Sequence, residues 1–222
     1  MTNQIYSVAI DGPAGAGKST IARQAAKALG FVYVDTGAIY RTIAYAAILS
    51  KVDVKDAQMV EALLPQVQIT MDWLDGVQQM YLAQENVTGE IRTSEVSSTA
   101  SIVAAIPAVR QFLLDMQRDV ARKRSVIMDG RDIGTVVLPD AAVKIYLFAS
   151  VEVRAKRRWL EMQHVPFETV LMDVAARDER DMNREIAPLK PAQDAVMLDT
   201  SKLDLQQSID AVVEIIRKKI AL

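Results

Sequence analysis

Short apolar runs alternate with amphipathic helical patterns along most of the chain. The runs are rich in Val and Ile and have the length of strands that are buried on both faces of a parallel sheet. They lie at residues 5–10, 31–35, 125–129, 142–148 and 195–199. Helical patterns follow several of these runs, as at residues 38–49. This order predicts an α/β fold with a five-stranded parallel sheet flanked by helices.

The pattern changes between about residues 63 and 99. Three short segments, at 67–71, 79–82 and 85–88, alternate apolar and polar residues and are bounded by turns that contain Gly76 and Gly89. Alternation with a period of two is typical of strands with one buried face. We therefore expect this segment to form a small antiparallel β insertion rather than a helical layer.

A long helix is predicted from Pro107, because proline is favoured at the first position of a helix. An apolar stripe with a spacing of three to four residues predicts its buried face. The members of this stripe are Val109, Phe112, Leu113, Met116 and Val120. Arg110 lies outside the stripe.

The composition is that of an ordinary globular protein. The chain has 222 residues, of which 50% are apolar and 24% are charged, and its net charge is −2. This length suits a single domain with insertions, spanning residues 1–222. The small negative charge provides no overall basic field for nucleic acid or anionic membranes, so neither is expected as a partner.

Other global features predict a soluble, cytoplasmic protein. The chain has no cysteine, which suits a reducing compartment and excludes disulfides and thiolate metal sites. Residues 1–4 carry no basic segment ahead of an apolar one, so they do not have the pattern of a signal peptide. No apolar run approaches the roughly 20 residues of a membrane helix. No long apolar surface stripe demands a protein partner, and we expect a monomer.

A glycine-rich motif between the first strand and the first helix predicts a nucleotide site. It matches G-x-x-x-x-G-K-[ST], the loop that binds the phosphates of nucleoside triphosphates. Its glycines let backbone N–H groups approach phosphate oxygens, and the helix N-terminus favours negative charge. The residues predicted to bind ATP are Gly12, Pro13, Ala14, Gly15, Ala16, Gly17, Lys18, Ser19 and Thr20.

Three polar side chains of this region have predicted roles in phosphate and metal chemistry. Lys18 can neutralise the β- and γ-phosphates of ATP. The Ser19 hydroxyl is placed to bind Mg²⁺, and Asp129 ends the third strand, where phosphate-loop enzymes commonly hold a carboxylate near the metal. We therefore expect Ser19 and Asp129 to form a magnesium site.

Arginines are concentrated between the fourth and fifth strands, in residues 152–188. They occupy two helical faces, with Arg154, Arg157 and Arg158 on one and Arg177, Arg180, Asp181 and Arg184 on the other. Pro166 divides the segment into a helical hairpin, and His164, the only histidine, is expected at the surface near its tip. Each face could be solvated and paired with glutamates. In a chain that binds phosphates, two such faces favour a lid that closes over the transferring group.

A phosphate loop alone fits kinases, switch GTPases, motors and synthetases. A switch GTPase needs a D-x-x-G turn, and no glycine in this chain has an aspartate three residues before it. A small kinase whose acceptor is itself a phosphate fits better. Such an acceptor needs no general base, and arginines hold the two repelling phosphate groups together. A nucleotide-dependent switch or binding protein and another small-molecule kinase are the alternatives.

Several segments, spread from the first strand to the last helix, resemble bacterial cytidylate kinases. They are IDGP at 10–13, DTGAIYR at 35–41, NVTGEIRTSEV at 86–96, DGRDIGTVV at 129–137 and RDERDMNREIAPL at 177–189. The resemblance implies a P-loop kinase with a nucleotide-binding insertion, at about residues 63–105, and an arginine-rich helical lid. It also implies transfer of a phosphoryl group from ATP to CMP or dCMP, with Mg²⁺.

The resemblance assigns roles to the residues that match its motifs. Arg41, Arg131 and Arg184 would hold the acceptor phosphate. Ser101, Arg110 and Asp132 would read the cytosine, since a carboxylate accepts a hydrogen bond from the exocyclic amine that uracil lacks. Arg177 and Asp181 would contact the sugar, and Thr36 supplies a hydroxyl on the substrate side. Arg154 and Arg158 would serve ATP or the lid, as would Arg157 and Arg180. The predicted catalytic residues are thus Lys18, Arg131, Asp132 and Arg184.

Overall fold

The computed structural model describes residues 4–221. Residues 1–3 and residue 222 lie outside this range. The expectation that the chain has no signal peptide rests largely on residues 1–3. The chain divides into two compact units. The first unit runs up to Tyr33 and resumes at Ala121, and the second unit is Val34–Val120.

Strands and helices follow one another through both units. The strands of the described residues are β1 (Ser7–Asp11), β2 (Val32–Asp35), β3 (Ile69–Leu74), β4 (Val77–Leu82), β5 (Glu85–Asn86), β6 (Val126–Gly130), β7 (Val143–Phe148) and β8 (Val196–Asp199). The α-helices of the same range are α1 (Lys18–Leu29), α2 (Thr36–Leu49), α3 (Ala57–Leu63), α4 (Ser94–Val103), α5 (Pro107–Lys123), α6 (Val151–Glu161), α7 (Phe167–Met182) and α8 (Leu205–Ile220).

Five strands form one parallel sheet in the order β2-β6-β1-β7-β8, which confirms the predicted sheet. The central strand β1 pairs with β6 on one side and with β7 on the other, so that Ile10 lies opposite both Asp129 and Ile145. Val8 and Ile10 of β1 are completely buried. Burial on both faces explains why this strand is a nearly continuous apolar run.

Helices α1 and α8 cover this sheet within the first unit. Ile21 of α1 and Val212 and Ile216 of α8 are buried in the same cluster as Ile10 and Ile145 of the sheet. The apolar side chains of each helix recur every three to four residues, so one face meets the sheet and the other meets water.

The second unit has its own core, formed by helices and a small antiparallel sheet. Strands β3, β4 and β5 pair in antiparallel order, as predicted. Met80 of β4 is completely buried and packs in one cluster with Ile43 of α2 and Leu113 of α5. The segment 63–105 also contains α4, which begins where the Thr93 side chain accepts a hydrogen bond from the N–H of Val96. The expectation that this segment has no helical layer is therefore wrong.

The predicted helical hairpin is confirmed in α6 and α7. Pro166 lies immediately before α7, where its fixed φ suits a helix start. The rings of Trp159 and Phe167 pack edge to face at 6.2 Å between centroids, and the Trp159 indole N–H donates to the Val165 carbonyl. These contacts close the hairpin, and His164 near its tip is exposed as predicted.

The apolar stripe of α5 is predicted correctly at two positions and wrongly at a third. Val109 and Leu113 are completely buried, whereas Phe112 is 39% exposed. Gln117 takes a buried position on the same face. An i, i+3, i+4 pattern defines a face more than 100° wide, and Phe112 falls at its margin.

Among the described helices, no single one has the length and hydropathy required to span a membrane. Helices α4 and α5 together have the required length and hydropathy, but they are bent by 102° relative to each other.

Two neighbouring apolar residues of α5 are expected to differ in their contribution to stability. Leu113→Ala should lower the free energy of unfolding by about 2–5 kcal/mol, because it opens a cavity in the core of the second unit. Phe112→Ala should cost less than about 1 kcal/mol, because much of that side chain is already in water. Urea unfolding of both variants measures the difference, and equal losses would contradict the burial of the two positions.

Candidate active site

Two glycines show why the phosphate loop needs this residue. Gly12 has a φ of +151°, and a Cβ at this position would lie 1.9 Å from the carbonyl oxygen of Leu147 on β7. Gly17, the residue before α1, has a φ of 87° in the left-handed region. The loop therefore passes close against β7 and turns directly into α1. The unpaired N–H groups at the start of that helix suit a phosphate.

Lys18 is buried at the centre of the charged groups that the sequence predicted for this site. Its side-chain ammonium donates a hydrogen bond to the carbonyl of Pro13 at 2.7 Å. Burial lowers the pKa of Lys18, and the charge of Arg131 lowers it further, whereas the carboxylates of Asp129 and Asp11 act in the opposite direction. Lys18 thus lies within electrostatic reach of both the predicted metal ligand and a predicted catalytic arginine.

The two predicted metal ligands are in direct contact. The Ser19 hydroxyl donates to Asp129 at 2.9 Å, and the Tyr33 hydroxyl donates to the other carboxylate oxygen at 2.8 Å. Pairing of β1 with β6 brings the end of β6 to the edge where the phosphate loop begins. Mg²⁺ prefers oxygen ligands and usually takes only one or two from the protein, together with substrate phosphates. The chemistry of Ser19 and Asp129 fits this ion.

Asp181 of α7 holds two of the predicted catalytic arginines. Arg131 Nε donates to one of its oxygens at 2.8 Å, and Arg184 pairs with the other. Burial lowers the pKa of Arg131, but the charge and the hydrogen bond of Asp181 outweigh this effect and raise it. Burial likewise raises the pKa of Asp181, and the two arginines overcome that effect and lower it. Asp181 is therefore an ionised carboxylate between two guanidinium groups.

The arginines of α6 are bound to the backbone of the phosphate loop. Arg154 donates to the carbonyl of Ala14 at 2.9 Å and forms an ion pair with Asp178 of α7 at 2.6 Å. Arg157 donates to the carbonyl of Ala16 and to that of Thr200, which follows β8. The alternative of solvated faces paired with glutamates does not hold for these two side chains. Arg158 and Arg177 are half-buried, and Arg180 is exposed.

Asp132 begins a turn of π-helix that spans Ile133–Val137. Its carbonyl accepts hydrogen bonds from the N–H groups of Val136 and Val137, and its side chain is buried. At the same turn, the carboxylate of Asp11 accepts the N–H groups of Ile133 and Gly134, both at 2.8 Å. Asp11 ends β1, so the start of the phosphate loop is tied to the turn that follows Asp132.

The remaining predicted substrate residues lie in the second unit. Arg41 of α2 forms an ion pair with Asp35 at 2.8 Å, and its Nε is buried without a hydrogen-bond partner in residues 4–221. Thr36 is buried in the first turn of the same helix. Arg110 is buried, donates to the carbonyl of Ala104 and lies 5.6 Å from the centroid of the Tyr40 ring. The Ser101 hydroxyl oxygen is buried and accepts or donates no hydrogen bond within the described chain.

Sequence reasoning assigned no role to several residues that hold this site together. They are Asp11, Asp35, Gln78, Asp178 and Thr200. Asp35 ends a predicted strand and Asp11 directly follows one, so a carboxylate at the end of a strand was an available signal. Gln78 and Thr200 gave no signal, because their partners are distant in sequence.

The site holds buried cations beside a phosphate-binding loop, and a carboxylate or a carbonyl fixes each of them. Phosphoryl transfer requires that a protein position the reacting groups and neutralise the charge of the phosphates. The fold and the site together define a phosphate-loop kinase.

The family model for cytidylate kinase matches residues 8–218. A cytidylate kinase of Lactobacillus johnsonii is 45% identical and covers 98% of this chain and 96% of its own length. A cytidylate kinase of Klebsiella pneumoniae is also 45% identical and covers 100% of this chain and 99% of its own length. The chain therefore belongs to the cytidylate kinase family. This membership favours the predicted kinase over a switch or binding protein and over another small-molecule kinase.

One solved structure, of an uncharacterized protein from Eubacterium ventriosum, aligns over 95% of this chain and 97% of that chain, with a TM-score of 0.54 and 14% identity. At this identity the likeness concerns the fold alone.

The buried carboxyl of Asp11 is expected to make stability depend on pH. Burial raises the pKa of Asp11 to about 7 from 3.8, and the two N–H groups that it accepts only partly offset this effect. Between these two values the folded protein holds a proton that the unfolded chain has released. The free energy of unfolding therefore falls as pH rises from about 4 to 7. In Asp11→Asn this fall should be smaller.

Urea unfolding at pH 5, 6, 7 and 8 compares the two slopes. Asp173→Asn, which removes an exposed carboxylate of α7, is the matched control and should keep the slope of the wild type. Parallel curves for wild type and Asp11→Asn would show that Asp11 does not titrate in this range.

Proposed function

We propose that this protein transfers the γ-phosphoryl group of ATP to CMP or dCMP, releasing ADP and CDP or dCDP. Membership of the cytidylate kinase family supports this reaction. The observation that carries the proposal is the hydrogen bond of 2.9 Å between Ser19 of the phosphate loop and Asp129 at the end of β6. Arg131 and Asp132 follow directly, so groups for the donor and for the acceptor lie on one short stretch.

On the donor side, the phosphate loop binds ATP through its backbone and Lys18. Ser19 and Asp129 hold Mg²⁺, which supplies positive charge to the β- and γ-phosphates when it is bound. Arg154 and Arg158 of the lid, residues 152–188, serve ATP. The contact of Arg154 with the carbonyl of Ala14 supports this role, because it already places that guanidinium at the loop.

On the acceptor side, Arg41, Arg131 and Arg184 bind the phosphate of CMP. The buried Nε of Arg41, which has no hydrogen-bond partner in the described chain, supports a role as a phosphate donor group. A phosphate oxygen is already a usable nucleophile, so the reaction needs no general base. His164 is exposed and takes no part.

Ser101, Arg110 and Asp132 recognise the cytosine, and Thr36, Arg177 and Asp181 contact the rest of the nucleotide. The buried hydroxyl of Ser101 supports its role, because it retains its hydrogen-bonding capacity for a ligand. Asp132 accepts from the exocyclic amine of cytosine. We further propose that the protein acts as a cytoplasmic monomer.

Turnover of defined acceptors tests the proposed function. With Mg-ATP, formation of ADP should be fast with CMP and dCMP. It should be at least about tenfold slower, in kcat/KM, with UMP and AMP, because a site built to bond one base leaves polar groups unpaired with another. Shikimate should give no turnover. Equal rates with AMP, or no turnover with CMP, would overturn the proposal.

Asp132 is expected to control recognition of the base. Asp132→Ala should lower kcat/KM for CMP by roughly 10- to 100-fold, the size of a lost hydrogen bond to a charged group. The affinity for ATP should stay within about twofold, since the change lies on the acceptor side. Steady-state kinetics and ATP titration measure both effects. Asp140→Ala, at an exposed carboxylate of the same region, is the control. Unchanged kinetics with CMP would remove Asp132 from the site.

A further inference from the structure

A glutamine of the small antiparallel sheet is bonded at both ends of its amide to the backbone of one residue. Gln78 Oε1 accepts the N–H of Asp35 at 2.7 Å, and Gln78 Nε2 donates to the carbonyl of Asp35 at 3.3 Å. Nε2 also lies 3.2 Å from the sulfur of Met80. Gln78 is 6% exposed.

A buried amide at this position of β4 has to be explained. Residues 78 and 80 of the strand face inward, and Met80 packs in the core of the second unit. An apolar side chain at position 78 would fit the alternation of the strand without any need for hydrogen bonds. A buried amide that is left unpaired destabilises the folded state. Here the amide oxygen bonds only to Asp35, and the amide nitrogen bonds to Asp35 and to the sulfur of Met80.

Asp35 in turn fixes Arg41. One oxygen of the Asp35 carboxylate accepts the N–H of Ala38 at 2.9 Å, and the other accepts from the Arg41 guanidinium at 2.8 Å. Asp35 is thus the N-cap of α2 and the ion-pair partner of Arg41 at once. A displacement of its backbone would move both the first turn of the helix and the guanidinium.

Gly37 lies against this ion pair. A Cβ on Gly37 would lie 3.0 Å from Arg41 Nη1 and 3.1 Å from Asp35 Oδ1. Both distances are shorter than ordinary van der Waals contacts. A side chain at position 37 would therefore crowd the ion pair of Arg41 and Asp35.

We propose that Gln78 is a positioning residue for the acceptor phosphate: by holding the backbone of Asp35, it sets the guanidinium of Arg41. This inference rests on the proposed binding of the CMP phosphate by Arg41. It extends the acceptor site to a strand whose side chains do not touch the substrate.

Kinetics of Gln78→Met test the inference. Methionine keeps the length of the side chain and its burial but makes neither hydrogen bond to Asp35. KM for CMP should rise about tenfold, as for the loss of one net hydrogen bond. KM for ATP should stay within about twofold, because the ATP-binding loop is untouched. A merely structural defect would lower the amount of active protein. It would then reduce the apparent kcat of the reaction and leave KM for CMP and KM for ATP unchanged.

Gln79→Met is the matched control. Gln79 is the next residue of β4, has the same side chain and lies on the opposite, more exposed face of the strand. Its kinetics should equal those of the wild type. Equal effects of Gln78→Met and Gln79→Met on KM for CMP would overturn the inference.

A double-mutant cycle with Arg41→Ala identifies the route of the effect. If Gln78 acts through Arg41, Gln78→Met should lower kcat/KM for CMP by less than about twofold in the Arg41→Ala background, against about tenfold in the wild type. A tenfold loss in both backgrounds would overturn the inference and leave the proposed function intact. A wild-type protein that does not turn over CMP would overturn the proposed function and this inference with it.

Discussion

Buried positive charge is the constraint on which the rest of the site depends. Lys18 and Arg154 are each 5% exposed, and an unpaired charge at such a depth would cost several kcal/mol. The fold places an acceptor against each of them. Asp178 and Asp181 of α7 bind arginines of α6 and of the stretch after β6, and carbonyls of the phosphate loop receive Lys18 and Arg154. The same cations therefore also hold α6 and α7 to the phosphate loop and to the stretch after β6.

Much of the fold follows from the sequence because its signals are local. A strand that is buried on both faces has to be apolar at nearly every position, and β1 and β6 are strands of this kind. The five apolar runs became the five strands of the sheet, although the edge strand β8 alternates half-buried and exposed residues. The phosphate loop was equally easy to predict, since its glycines, lysine and serine lie in one short motif. The contact of Ser19 with Asp129 was predictable as well, because parallel strands bring their carboxyl ends to one edge.

The features that could not be predicted depend on partners that are distant in the chain. In the sequence, Gln78 has the pattern of an ordinary polar residue in an alternating strand. Its partner Asp35 lies 43 positions earlier, so the hydrogen bond between them could not be predicted. Asp11 and the N–H of Ile133 are 122 positions apart. Phe112 shows that a local pattern can also mislead. Its spacing fits the apolar stripe of α5, but the packing of neighbouring elements decides which residues at the edge of that face are buried, and Phe112 is exposed. Helix α4 was not predicted from the sequence, because its amphipathic pattern is short and follows a segment in which apolar and polar residues alternate.

The hydrogen bonds of Asp11 join the first residue of the phosphate loop to the turn that follows Asp132. Ionising this buried carboxyl opposes folding at neutral pH, as its raised pKa of about 7 indicates. A protein that keeps such a group accepts lower stability for a fixed geometry. The benefit is preorganisation: two hydrogen bonds tie the end of β1, where the phosphate loop with Lys18 begins, to the turn that follows Arg131 and Asp132.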